Sequence, residues 1–100
     1  MKQLTVLIAF LMTIGSQASA FDPAHLQKLK DTNECIACDL GAANLRGADL
    51  SEAYLAYANL GAADLASATL KGASLNGADL IGAILCNTTM PDGSVIDRGC

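Results

Sequence analysis

Leucine recurs at every fifth position from Leu40 to Leu85, ten times without a miss. Alanine stands two places before it in nine of the ten copies, Cys38 being the exception, and Asp or Asn stands directly before it in six. Tyr54, Thr69, Ser74 and Ile84 depart from that last preference. A period of five suits neither regular element. On an α-helix five residues advance about 500°, so successive leucines walk round the rod by about 140°. On a flat strand an odd step sends every second Leu to the opposite face. If the chain instead turns a corner every five residues, each Leu points to one central axis. The Ala two places earlier points the same way, because side chains alternate along a short extended stretch. The pattern predicts a solenoid lined by Leu and Ala, with its outward positions free to vary.

The flanks read differently. Met1-Lys2-Gln3, an apolar run of eleven from Leu4 to Ile14, and Ala18-Ser19-Ala20 have the layout of a secretory signal peptide. The run falls short of the roughly twenty residues a bilayer crossing needs. Cleavage is expected after Ala20, leaving an exported chain, Phe21 to Cys100, with no membrane insertion. In that chain Asp22 is placed as an N-cap and Pro23 as the first helical residue. Phe21 with Leu26 forms a hydrophobic staple, and Lys28 and Lys30 suit the last turn. The expectation is a short capping helix over the first coil. His25, the only His of the chain, is read as solvated, since a lone imidazole makes a poor metal site. After Cys86 the Ala-x-Leu pattern stops, although Met90 and Val95 keep the period of five, and Pro91-Asp92-Gly93 is a turn sequence.

Composition narrows the classes further. The 100 residues carry 52% apolar side chains, mostly Ala and Leu, with no Trp and 4% aromatics. Net charge is −4 for the whole chain, and loss of Lys2 with residues 1–20 makes it −5. Such a surface repels nucleic acid and anionic membranes. Four Cys in a small exported chain read first as two disulfides.

The run Ala-(Asp/Asn)-Leu-x-x, uninterrupted from Cys38 to about Asn87, resembles the pentapeptide repeat proteins. That resemblance implies an all-β solenoid, a right-handed quadrilateral β-helix with four repeats, hence 20 residues, per coil. Leu40-Gly41-Ala42-Ala43-Asn44-Leu45 is indeed echoed twenty residues on by Leu60-Gly61-Ala62-Ala63-Asp64-Leu65. Ten repeats then make about 2.5 coils, a stub about 12 Å tall at strand spacing. The chain divides into a signal peptide (1–20), a cap helix and linker (21–34), the repeat β-helix (35–87) and a C-terminal cap tail (88–100).

On the coil that the resemblance implies, Cys35 takes the place of a central Leu and Cys38 that of the next inward Ala, the first and fourth residues of one corner turn. Their Cα atoms then lie within bonding range, whereas Cys86 sits about 12 Å away along the axis. The expected pairs are Cys35–Cys38 and Cys86–Cys100. Cys35-Ile36-Ala37-Cys38 also has the spacing of thiol–disulfide exchange, so a redox protein is an alternative. Against it, both sulfurs face inward, Glu34 and Asp39 flank them, and no βαβ pattern follows.

No catalytic cluster, cofactor motif or metal-ligand set emerges. Some members of the family are acidic mimics of duplex DNA that bind DNA gyrase, and the outward column Asp39, Asn59, Asp79 is a faint version of such a surface. A solvated polar edge is the plainer reading. What remains is an exported, non-catalytic interaction or structural module for an unknown protein partner. One outward face stands apart, bearing Tyr54 in place of the usual Asp or Asn, Tyr57 beyond it, and Ile36 stacked over Ala56. Either the N-terminal helix folds over these residues, the first expectation, or they form an exposed patch for a partner, where Tyr is enriched.

Overall fold

A computed structural model of the protein describes residues 21–98 and 100. The expected export signal, residues 1–20, lies outside the described residues.

The repeats wind as a β-helix-type solenoid. Parallel bridges join residues twenty apart, Glu34 to Tyr54, Asp39 to Asn59, Asn44 to Asp64 and Asp49 to Thr69, and Tyr54, Asn59, Asp64 and Thr69 bridge onward in turn. One bridge every five residues and a repeat of twenty give each coil four sides. Each corner closes when an Ala N–H donates to the Leu C=O three residues back, as Ala43 does to Leu40 (3.1 Å) and Ala63 to Leu60 (3.1 Å). The third residue of the turn has positive φ (Ala42 60°, Tyr57 62°, Gly77 71°) and the second does not. This is the type II arrangement. Gly adopts it freely, whereas Ala42 and Tyr57 are held there by the ladder on either side.

The corner also explains the Asp and Asn positions. The second residue of each turn has an N–H that the ladder does not use, and the residue before the Leu reaches forward to accept it. Asp39 accepts from Gly41 (3.2 Å), Asn59 from Gly61 (2.9 Å), Asp64 from Ala66 (3.0 Å) and Asp79 from Ile81 (2.9 Å). The column Asp39, Asn59, Asp79 is thus a set of turn-closing side chains in a local hydrogen-bonding role, and not only a solvated edge.

The leucines line the axis. Leu40, Leu55, Leu60, Leu65 and Leu70 are wholly buried, with Ala43, Ala53, Ala58, Ala63 and Ala68 between them. Burial weakens toward the C-terminal end, where Leu75, Leu80 and Leu85 are only partly covered. At the other end helix α1, Pro23–Thr32, closes the stack. Asp22 caps it by accepting from Ala24 N–H (2.9 Å), and Asn33 ends it in the left-handed region, donating to the Leu29 carbonyl (2.8 Å). Leu29 is buried, and Phe21 and Leu26 lie half-buried against the core. His25 is not simply solvated. Its Nδ1 accepts from the Asp39 N–H (2.9 Å) while the Asp22 N–H donates to the Asp39 carbonyl (3.0 Å), so the two bonds fasten the helix start to the first coil.

The far end holds an element that the period of five does not show. Strand β1, Leu85–Thr89, continues one side of the coil, and strand β2, Val95–Arg98, pairs with it antiparallel. One edge of β1 faces residues 64–69, so β2 occupies the other edge. Asn87, at φ 57°, forms the bulge between Cys86 and Thr88. Thr88 takes an inward Ala position and donates its hydroxyl to the Leu65 carbonyl (2.7 Å). Met90 still packs on the core, but Val95 is exposed, because the chain has reversed before it.

A tyrosine face as candidate interaction site

The four sides differ in what they show to solvent. One side is built from residues 33–37, 53–57 and 73–77, stacked by the Tyr54 bridges to Glu34 and Ser74 and by the Ala37 N–H donating to the Ala56 carbonyl (2.8 Å). It brings Ile36, Tyr54, Ala56 and Tyr57 together. Ile36 is 50% exposed, Tyr54 58% and Tyr57 68%. The expectation that the N-terminal helix folds over these residues is therefore not met. Helix α1 lies across the end of the stack, and the side remains open.

Two local features hold the face in shape. Tyr57 sits at a corner, and its ring lies over Gly77 of the next coil: a Cβ there would come 2.5 Å from Tyr57 Cδ1. Only Gly leaves room for the ring to lie down. At the preceding corner Glu52 lies over Gly72 in the same way, its Oε2 2.8 Å from where a Cβ would stand. Tyr54 breaks the local rule. It occupies the position from which Asp or Asn closes the corner, so the Ala56 N–H receives no side-chain acceptor among the described residues. A position that forgoes the fold's own hydrogen bond to present an aromatic ring marks a candidate site, since local rules are broken mainly where function demands it.

The structure joins Cys35 to Cys38 (Cα–Cα 5.3 Å) and Cys86 to Cys100 (Cα–Cα 5.0 Å). Cys35 and Cys38 are both buried, 0% and 4% exposed, whereas an exchange catalyst must offer a sulfur to its substrate. Cys86, Asp97 and Cys100 place their ligand atoms within 4.8 Å of one another, but the two sulfurs are bonded to each other and only the carboxylate stays available. Between α1 and the first coil a cleft of about 310 Å³ is lined by Leu29, Lys30, Asn44, Arg46, Asp49 and their neighbours. Arg46 there pairs with Asp64 (3.4 Å), and hydrogen bonds from Ser51 hold the Asp49 carboxyl below the usual range. Lys30, Arg46 and Asp49 are the charged residues of this lining.

The sequence model of pentapeptide repeats matches residues 34–72 and 63–92, with eight copies. The chain belongs to the pentapeptide repeat family. Among solved structures it is similar to HetL from the cyanobacterium Nostoc sp. strain PCC 7120, described as a pentapeptide repeat protein involved in heterocyst differentiation regulation. Identity is 35%, over 63% of this chain and 36% of HetL, with a TM-score of 0.30. The chain thus spans about a third of the length of that relative. No curated protein matches it. As a pentapeptide repeat protein the chain owes its leucine column and turn-closing Asp and Asn residues to the family fold. Tyr54 and Tyr57 stand among its outward residues, 58% and 68% exposed.

Proposed function

We propose that this pentapeptide repeat protein is an exported, non-catalytic module that binds a protein partner through the face of Ile36, Tyr54, Ala56 and Tyr57. The fold is taken as a right-handed quadrilateral β-helix of about 2.5 coils; ten repeats and bridges twenty residues apart support its four-sided coil. The layout of residues 1–20 supports export, and two disulfides are compatible with an oxidising compartment.

One observation carries the reading. Two tyrosines and an isoleucine stand exposed together on one side, whereas the other exposed large apolar residues, Ile81 and Val95, stand apart from it toward the C-terminal end. Tyr brings large contact area at small entropy cost, and such residues concentrate binding energy in interfaces. The buried disulfide of the Cys-x-x-Cys motif weighs against the redox alternative, and the turn-closing role of Asp39, Asn59 and Asp79 weighs against reading their column as a mimic of nucleic acid.

The test is site-specific photocrosslinking in the exported compartment. A photoreactive residue at position 54 or 57 is expected to capture a defined partner that one at Ala62, on another side, does not. The variant Tyr54→Ser/Tyr57→Asn, chosen because Ser74 stands in the same column and Asn tolerates positive φ, should fold normally and lose that partner. Equal capture from position 62, or undiminished capture by the double variant carrying its crosslinker at position 36, would remove the face from consideration.

A further inference from the structure

Charge narrows the kind of partner that this face fits. Of the outward residues on the tyrosine side only Glu34 is charged, and the corner leading into it carries Glu52. Across the next corner stand Asp39 and Asp79. One cation stands close: Lys71 shares the corner of Glu52, whose N–H donates to the Lys71 carbonyl (2.8 Å). The others are elsewhere, Lys30 and Arg46 bordering the cleft beside α1, Arg98 in β2 and Lys28 on α1. Two π-faces framed by carboxylates are complementary to positive charge, and guanidinium groups stack on Tyr while pairing with carboxylate.

We infer that the tyrosine face receives an arginine-bearing extended segment of a partner protein, with guanidinium groups stacked on Tyr54 and Tyr57 and paired with Glu34 and Glu52. This inference rests on the interaction reading above and adds the chemistry of the partner to it. The geometry suits stacking because the Tyr57 ring is seated on Gly77 and still 68% exposed, so it offers a fixed surface and not a swinging side chain. Glu52 is held at the level of Gly72 and the Tyr57 ring at that of Gly77. Five residues span at most about 17 Å, and arginines two to four residues apart on an extended chain reach both corners. Apolar Ile36 and Ala56 accept the aliphatic stems of the same side chains.

The test uses the mature disulfide-bonded protein and fluorescein-labelled hexapeptides Arg-Ser-Arg-Ser-Arg-Ser, Lys-Ser-Lys-Ser-Lys-Ser and Glu-Ser-Glu-Ser-Glu-Ser, with anisotropy read at 0.05 and 0.15 M salt. The arginine probe should bind more tightly than the lysine probe, and the glutamate probe not at all. Tyr54→Ser/Tyr57→Asn leaves net charge unchanged and should weaken the arginine probe about tenfold or more, while Tyr54→Phe/Tyr57→Phe should restore it. Glu34→Gln/Glu52→Gln should weaken it as well. Asp49→Asn/Asp64→Asn removes the same charge from other sides, where Asn also closes corners, and should change affinity less than about twofold. Equal binding by the tyrosine double variant, with its circular dichroism unchanged, overturns the inference. So does an Asp49/Asp64 effect as large as the Glu34/Glu52 effect, which would reduce the binding to bulk acidity. If the arginine probe fails to bind while position 54 still crosslinks a partner, this inference falls and the interaction reading stands.

Discussion

Leu60 offers the sharpest measure of how the solenoid is held together. It is wholly buried in the middle of the stack, at the same coil position as Leu40 above and Leu80 below. Leu60→Ala removes about three buried carbons, worth about 2.4 kcal/mol of transfer free energy at ~0.8 kcal/mol each. Neighbours on both sides are fixed by the ladder and cannot collapse into the gap, so a cavity adds to the loss and the total should lie between about 3 and 5 kcal/mol. Leu80→Ala makes the same chemical change at the half-covered end, where water enters the space and no closed cavity forms; about 1 to 2 kcal/mol is expected. Ile81→Ala deletes a side chain 81% exposed and should cost under about 0.5 kcal/mol. Urea melts followed by circular dichroism, with disulfides intact and slopes compared for two-state behaviour, give the three values side by side. At this size each kcal/mol moves the melting temperature by about 4–8 °C, so the series is resolved by thermal scans too. Equal losses at Leu60 and Leu80 would refute the gradient of core closure, and equal losses at Leu60 and Ile81 would refute the inward column itself.

Other expectations concern the staples and caps. Intact mass of the exported form should show cleavage after Ala20 and a gain of four thiols only after reduction; four free thiols in freshly isolated protein would contradict the two bonds. His25→Ala leaves the Asp39 N–H without its acceptor and should cost about 1 kcal/mol, with faster amide exchange at Asp39 as the local sign. Hydrogen bonds from the Ser51 and Ser94 hydroxyls, and then from their N–H groups, hold the carboxyls of Asp49 and Asp92 below the usual range. Folded values below the unfolded one mean stability that is present above about pH 4 and is lost as pH falls through the folded values. Melting temperature should therefore be insensitive to these two groups at neutral pH and fall on acidification below about pH 4, and Asp92→Asn should remove part of that fall.

The repeat region was legible because a period of five has one sterically sensible outcome. The leucine column follows from spacing and the caps from turn residues, while the twenty-residue coil came with the family resemblance and the echo of residues 40–45 in 60–65. Side-chain roles that depend on a neighbour twenty residues away were not legible. The Asp and Asn preference reads as solubility until the corner N–H that each one accepts is seen. His25 reads as solvated until Asp39 is brought beneath it. The β1–β2 pair was hidden because Cys86-Asn87-Thr88-Thr89 and Val95-Ile96-Asp97-Arg98 are short and carry no clear alternation, and only closure of the coil leaves β1 an edge to fill. Tyr54 stood out in the sequence as a departure from the Asp and Asn preference, and Tyr57 as a second aromatic beside it. Whether they were covered depended on the tilt of one short helix, which local propensity does not set.

Because every coil has four equal sides, the number of pentapeptides between α1 and the terminal hairpin fixes their relative bearing. Adding or removing one repeat would swing the hairpin by a quarter turn about the axis and shift it by about 1.2 Å along it, at a strand spacing of about 4.8 Å per coil. Only a change of four repeats returns both caps to the same compass point. The tyrosine face thus keeps a set azimuth to each end of the molecule, and variation in repeat count acts on that orientation before it acts on length.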